Sequence, residues 1–156
     1  MGTTCVLCGA IAREEGLHDA LGFCQPCAKG LPSIEALLES MDVPAALVSR
    51  DLVVLSANRR LYGLTRDGGM NAIGIRIGLA LGCAHAEVPG PCGQTEACLE
   101  CWLRRSVDLA RICDARVPWV RWDFLPHAGH RTPYAISAVK TREAVVLTLK
   151  PAGAGA

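Results

Sequence analysis

The stretch Pro44-Ala45-Ala46-Leu47-Val48-Ser49-Arg50-Asp51-Leu52-Val53-Val54-Leu55-Ser56-Ala57-Asn58 decides how this chain folds. Two strand-like runs, 45–49 and 52–56, are separated only by Arg50-Asp51. So short a connection predicts an antiparallel hairpin. Pro44 stops a helix arriving from the N-terminal side. Asn58 closes the second strand, and its side chain is expected to tie down the strand end through hydrogen bonds.

Working outward, Ile34, Leu37, Leu38 and Met41 recur at helical spacing behind Ser33, a good N-cap residue, so a helix is expected over Ser33 to Asp42. Downstream, Arg59 to Thr65 reads as a short helix ended by Asp67-Gly68-Gly69. Asn71 to Gly82 is apolar but studded with glycines and gives no regular assignment, and Pro89-Gly90-Pro91 marks a loop. From Thr95, which suits a helix start, Leu99, Leu103, Val107, Ala110 and Cys113 recur at spacings of three and four, which predicts one long helix ended by Pro118. Cys113 on that stripe is expected in the core. Strand-like segments 119–125, 132–140 and 144–149 follow, joined by His127-Ala128-Gly129-His130 and by Thr141-Arg142-Glu143. Trp119, Trp122 and Phe124 alternate over both faces of the first. Strands on either side of a helical middle predict an α+β fold: an antiparallel sheet with helices on one face.

The 156 residues are 51% hydrophobic and 20% charged, with formal net charge +1. Such a chain supports a real core, which excludes wholesale disorder, and it lacks the bulk charge that drives attachment to nucleic acid or anionic lipid. No apolar run approaches the roughly 18 residues of a membrane span. The opening residues carry no basic region followed by an apolar stretch, so a cytoplasmic location is expected.

Of nine cysteines, eight fall into two groups of four. Cys5-Val6-Leu7-Cys8, fifteen residues, then Cys24-Gln25-Pro26-Cys27 is the spacing of two knuckles that place four sulfurs about 2.3 Å from one zinc ion. Residues 1–31 therefore read as a four-cysteine zinc finger whose folding draws on the metal, since so short a segment cannot bury a core alone. The second group, Cys83, Cys92, Cys98 and Cys101, is spaced less regularly, and its last pair lies near the expected helix start, where the helix dipole favours thiolate. These four sulfurs are expected to converge on one site holding zinc, an iron–sulfur cluster, or a dithiol that switches with a disulfide. His85 reads as an exposed or core imidazole, with replacement of one sulfur or a hydrogen bond to a ligand as the alternative. His127 and His130, and the pairs Arg59-Arg60 and Arg104-Arg105, read as solvated. No catalytic constellation is present, so no enzyme is expected.

The order of elements from residue 32 to 151 resembles that of PAS sensor domains. The matching pieces are the leading helix, Pro44-Ala45-Ala46-Leu47-Val48, Leu55-Ser56-Ala57-Asn58, the Ile73-Gly74 turn, the long helix and three final strands. Gly82-Cys83-Ala84-His85-Ala86, with Gly90-Pro91-Cys92-Gly93 and the Cys98–Cys101 pair, resembles a cysteine-bearing bacterial subgroup, and residues 1–31 resemble a zinc-ribbon or treble-clef finger. The resemblance implies a regulatory protein that passes a ligand, metal or redox signal to a protein partner. It also implies a homodimer, expected through the helix from Ser33 to Asp42. Two rival readings stand beside it: a small thiol oxidoreductase using Cys98 and Cys101, and a nucleic-acid-binding finger, which the neutral charge disfavours. Residues 152–156 are expected to be a disordered tail.

Overall fold

The computed structural model describes residues 34–65, 72–86, 92–113, 116–126, 129–140 and 144–152, and the backbone of four two-residue strands near the N-terminus. Those four are β1 (Thr3–Thr4), β2 (Ile11–Ala12), β3 (Leu17–His18) and β4 (Phe23–Cys24). β1 pairs antiparallel with β2, and β3 with β4. Cys5, Cys8 and Cys27 lie outside the described residues, as do Ser33, residues 67–69, 89–91, 141–143 and 153–156, and His127.

The main sheet has five strands: β5 (Ala45–Ser49), β6 (Val54–Ala57), β7 (Val117–Phe124), β8 (Thr132–Lys140) and β9 (Ala144–Pro151). Their order is β6-β5-β9-β8-β7, and every neighbouring pair is antiparallel. The helices are α1 (Ile34–Glu39), α2 (Arg59–Tyr62), α3 (Ile77–Ala80) and α4 (Trp102–Cys113), with a 3-10 turn over Glu96–Leu99. The α+β expectation stands, and the hairpin forms with Ala46 opposite Ala57, but its second strand starts at Val54 and not at Leu52, so the connection runs from Arg50 through Val53 and is longer than the two residues expected. No helix among the described residues is long and apolar enough to cross a membrane.

The hairpin turn is built from local polar contacts. Ser49 Oγ accepts the amides of Asp51 and Val53 at 3.2 Å, and Leu52 takes φ 66°. A side chain rarely adopts that conformation, so the surroundings must hold it there. They do so: Leu52 is buried, and its carbonyl accepts the Ile77 amide at 2.7 Å.

Asn58 is the fold's polar clamp. Its Oδ1 accepts the amides of Ala45 and Leu61 at 3.0 Å, and its Nδ2 donates to the carbonyls of Leu38 and Val43 at 2.8 Å. One fully buried amide thus caps α2, closes the β5 start and anchors the end of α1, using its full donor and acceptor capacity.

α4 packs across β7, β8 and β9, burying Leu103, Val107 and Ala110 against Ile136, Ala138, Val145, Leu147 and Leu149. Successive residues of a strand face opposite ways. Val145 at 0% and Val146 at 1% exposure therefore show that β9 is covered on both faces.

Several expectations need correction. The single helix from Thr95 is two elements, the 3-10 turn and then α4, with Cys101 between them. Leu99 is 61% exposed and Cys113 is exposed, so neither joins the core. Pro118 lies within β7, an edge strand, at a register shift between Val117 and Val120. An edge bulge tolerates a residue without an amide donor. Leu37 and Leu38 are 1% and 0% exposed, so these two residues of the α1 stripe pack within this chain and present nothing to a second copy.

Candidate functional site

The second cysteine group is assembled by main-chain contacts from separate elements. Cys83 follows α3, and its amide donates to the Gly78 carbonyl at 2.8 Å. Cys83 bridges to Pro126, and the Ala84 amide donates to the Leu125 carbonyl at 3.0 Å, which seats this segment at the end of β7. Cys92 is fixed from outside: Arg76 Nη1 donates to its carbonyl at 2.6 Å. Its sulfur lies against Gly78, where a Cβ would overlap Cys92 Sγ. Only glycine permits that approach. Gly93, at φ 90°, turns the chain towards the 3-10 segment that carries Cys98.

Each sulfur receives main-chain N–H groups. Cys83 is hydrogen-bonded by the backbone of His85 and Ala86, and Cys92 by that of Gly78. Cys98 Sγ accepts the Gly93 amide at 3.1 Å and lies 3.0 Å from Thr95 Oγ1. Cys101 sits at the N-cap of α4: its carbonyl accepts the Arg105 amide at 2.9 Å, and its sulfur is bonded by the backbone of Leu103 and Arg104. These are the orphan donors of the helix's first turn, and a capping thiol satisfies them as a serine hydroxyl would.

The thiols differ in acidity. Burial pushes Cys92 up to about 12, against the bonds from Gly78, and burial likewise raises Cys83 and Cys101. For Cys98, burial pushes upward too, but the hydrogen bonds from Thr95 and Gly93 and the nearby Arg104 guanidinium outweigh it, and the thiol falls below its ordinary value. Charge on any one sulfur is felt by each of the other three.

All four cysteines line one cavity of about 640 Å³. Trp122 and Phe124 stack at 4.9 Å on one wall, with Leu52, Leu103 and Leu125 adding apolar surface and Arg104, Arg121 and Arg131 at the polar margin. Arg104 pairs with Asp108 at 3.6 Å and Arg121 with Asp123 at 3.0 Å. None of the four cysteines is in a disulfide. Among the described residues, no three His, Cys, Asp or Glu side chains are gathered closely enough to hold one metal ion.

The cavity thus brings together Cys83, Cys92, Cys98 and Cys101, with His85 half-buried beside them. Of the first group, Cys24 is described only as the end of β4. His130, Arg59, Arg60 and Arg105 are exposed and outside the cavity, whereas Arg104 lines it. Trp119 is the outward member of its strand, with Lys150 Nζ 4.2 Å from its ring centroid. Sequence reasoning missed Leu52, Arg76, Gly78 and Thr95. Thr95 alone carried a signal, as a cap candidate, and its hydroxyl serves the Cys98 sulfur instead.

No family model matches this chain, and no curated protein matches it. Among solved structures it is similar to the phage VqmA–DPO complex at 10% identity and TM-score 0.45, matched over 74% of this chain. It spans about half, 49%, of that chain's length. A sensory box sensor histidine kinase from Vibrio cholerae is similar at 18% identity and TM-score 0.47, over 82% of this chain and 96% of that one. The PAS domain of Bordetella pertussis BvgS is similar at 13% identity and TM-score 0.47, over 77% and 84% respectively.

Proposed function

We propose that this chain is a PAS-like sensory module whose four-thiol site responds to metal or redox state and passes the change to a protein partner by contact. The observation that carries the reading is that Cys83, Cys92, Cys98 and Cys101 line one cavity, with Cys98 Sγ accepting the Gly93 amide at 3.1 Å and lying 3.0 Å from Thr95 Oγ1. Thiols placed by chance on unrelated surfaces would not share the walls of one cavity in this way. Zinc at Cys5, Cys8, Cys24 and Cys27 belongs to the same proposal and rests on their spacing alone.

The test is amide hydrogen exchange on the protein loaded with metal, stripped by chelator and treated with oxidant. Protection in Trp102–Cys113 and in the adjoining strands should change with the state of the site. Identical exchange in all three states would remove the sensing role. A second reading, a small thiol oxidoreductase, is favoured by one observation. Cys98 is held below the ordinary thiol range while Cys101 is held above it, the asymmetry of an attacking and a resolving thiol. It requires turnover of a disulfide substrate that Cys98→Ser abolishes while the fold persists.

A further inference from the structure

We infer that Cys98 and Cys101 form a peroxide-reactive pair, in which the Cys98 sulfur reduces a small hydroperoxide and Cys101 closes the disulfide that follows. This deepens the redox half of the reading above and rests on both cysteines walling one cavity. It differs from exchange with a disulfide substrate in its electron acceptor, an O–O bond.

The backbone already holds the pair in one turn. The Cys101 amide donates to the Cys98 carbonyl at 3.2 Å, and between them Glu100 has φ −104° and ψ 1°. Those angles suit the third residue of a type I turn, and Leu99, the second, belongs to the 3-10 segment. A turn of this kind keeps its end Cα atoms within about 7 Å, and a disulfide spans roughly 4.4–6.8 Å between Cα atoms. Side chains three residues apart in 3-10 geometry also eclipse one another. Joining Cys98 to Cys101 therefore asks for side-chain rotation inside an existing turn. Cys83 and Cys92 come from segments before that turn, and neither shares it.

Cys98 is the attacking member because of what meets its sulfur. It accepts the Gly93 amide at 3.1 Å and has the Thr95 hydroxyl at 3.0 Å, and Arg104 lines the same cavity. Donors and a cation around a sulfur favour its thiolate, the form that attacks. Thr95 and Arg104 also supply O–H and N–H donors for the oxygen that leaves with negative charge. The Cys101 sulfur instead faces the first amides of α4.

The Cys98 thiolate attacks one peroxide oxygen. An S–O bond forms, the O–O bond breaks, and the alkoxide takes a proton from solvent to leave as an alcohol, or as water from hydrogen peroxide. The Cys101 thiol then attacks the sulfenic sulfur: an S–S bond forms, the S–O bond breaks, and hydroxide leaves as water with the Cys101 proton. Two thiols have lost two electrons, and the peroxide has gained them. Because the Cys101 sulfur is bonded by the amides of Leu103 and Arg104, closing the disulfide reaches the cap of α4.

For the test, the full chain, reduced and freed of reductant, is given one equivalent of hydrogen peroxide and cleaved after glutamate. Glu100 lies between the two cysteines, so their peptides stay together only through a disulfide. The expected product is that cross-linked pair, in the wild type and in Cys113→Ser alike. Cys101→Ser should stop at a sulfenic acid that dimedone traps on Cys98, and Cys98→Ser should leave Cys101 reduced. Thr95→Val should slow peroxide consumption about tenfold, the worth of one hydrogen bond to a charged sulfur, whereas Thr95→Ser should not. A disulfide to Cys83 or Cys92, or a Cys98 that reacts no faster than the exposed Cys113, would overturn the inference. Hydrogen exchange in α4 that answers to metal, with no disulfide formed by peroxide, would overturn the inference alone and leave the sensing reading standing. The Cys98–Cys101 disulfide formed with exchange unchanged in every state would bear out the chemistry and remove the sensing role.

Discussion

Replacing Gly78 by alanine isolates the packing on which the site depends. The added Cβ would overlap Cys92 Sγ and stand 3.1 Å from Cys92 Cβ and 3.7 Å from Cys83 Cβ. Cys92 cannot simply withdraw, because Arg76 holds its carbonyl at 2.6 Å and Gly93 follows it in a φ 90° turn. Two effects compete. Alanine in a helix is favoured over glycine by up to about 1 kcal/mol, whereas forcing a methyl into a packed region costs about 1–3 kcal/mol. The second wins at this position, giving a net loss of roughly 1–2 kcal/mol and, since about 1.4 kcal/mol is tenfold, roughly tenfold weaker loading of the thiol site. Gly63→Ala is the internal control. Gly63 has φ −65°, and its nearest neighbour to an added Cβ is 3.4 Å away, so that variant should be unchanged or gain stability. Urea unfolding and metal content per chain give the two readouts. A Gly78→Ala protein as stable as the wild type, with full loading, would refute the close-approach argument.

Three further outcomes are expected. Asn58→Leu keeps the volume but strands two amides and two carbonyls, all served by one buried side chain, and should cost on the order of 3–5 kcal/mol in urea unfolding; a loss under about 1 kcal/mol would contradict the clamp. Thr95→Val removes the hydroxyl 3.0 Å from Cys98 Sγ, so the pH profile of Cys98 alkylation should move upward, towards those of the thiols that burial raises; Thr95→Ser should leave it in place, and an unmoved valine profile would rule out the hydroxyl as a donor. Leu37→Glu places a charge at a position only 1% exposed and should lower stability by several kcal/mol at any protein concentration; a stable variant that merely sediments at lower mass would restore α1 as a dimer face.

Much of this fold is legible in the chain because its signals are local. The 45–49 and 52–56 runs are apolar stretches of strand length on either side of Arg50-Asp51, although β6 starts only at Val54, and Asn58 stands where a short amide reaches main chain on both sides. The closing strands are bounded by turn residues and fall within two residues of their expected limits. What was not legible depends on tertiary contact. Thr95 looks like a helix cap, but its hydroxyl is drawn to a sulfur, and the cap of α4 passes to Cys101. Leu99 and Cys113 fit the helical period but fall beyond the part of α4 that the sheet covers. Pro118 resembles a terminator until the edge position of β7 is known. The role of Gly78 is invisible from sequence, since a glycine's value there lies in a sulfur brought up from a distant segment.

Cys101 belongs to two structures at once, and that duality gives the site a route to the rest of the fold. Its sulfur walls the cavity, and the same sulfur satisfies the first amides of α4. A helix N-cap contributes about 1 kcal/mol. Any event that turns the sulfur away from Leu103 and Arg104 therefore charges roughly that amount to α4. The helix cannot absorb it by shifting freely, because Leu103, Val107 and Ala110 are 2%, 0% and 0% exposed against β7, β8 and β9. Close-packed interiors respond by changing arrangement as a unit. A bias of about 1 kcal/mol moves a two-state equilibrium roughly fivefold, which is within the ordinary range of coupling between distinct sites. The break between the 3-10 turn and α4 is what gives Cys101 this position: with one continuous helix from Thr95, Cys101 would be an interior residue and its sulfur would have no amides to release.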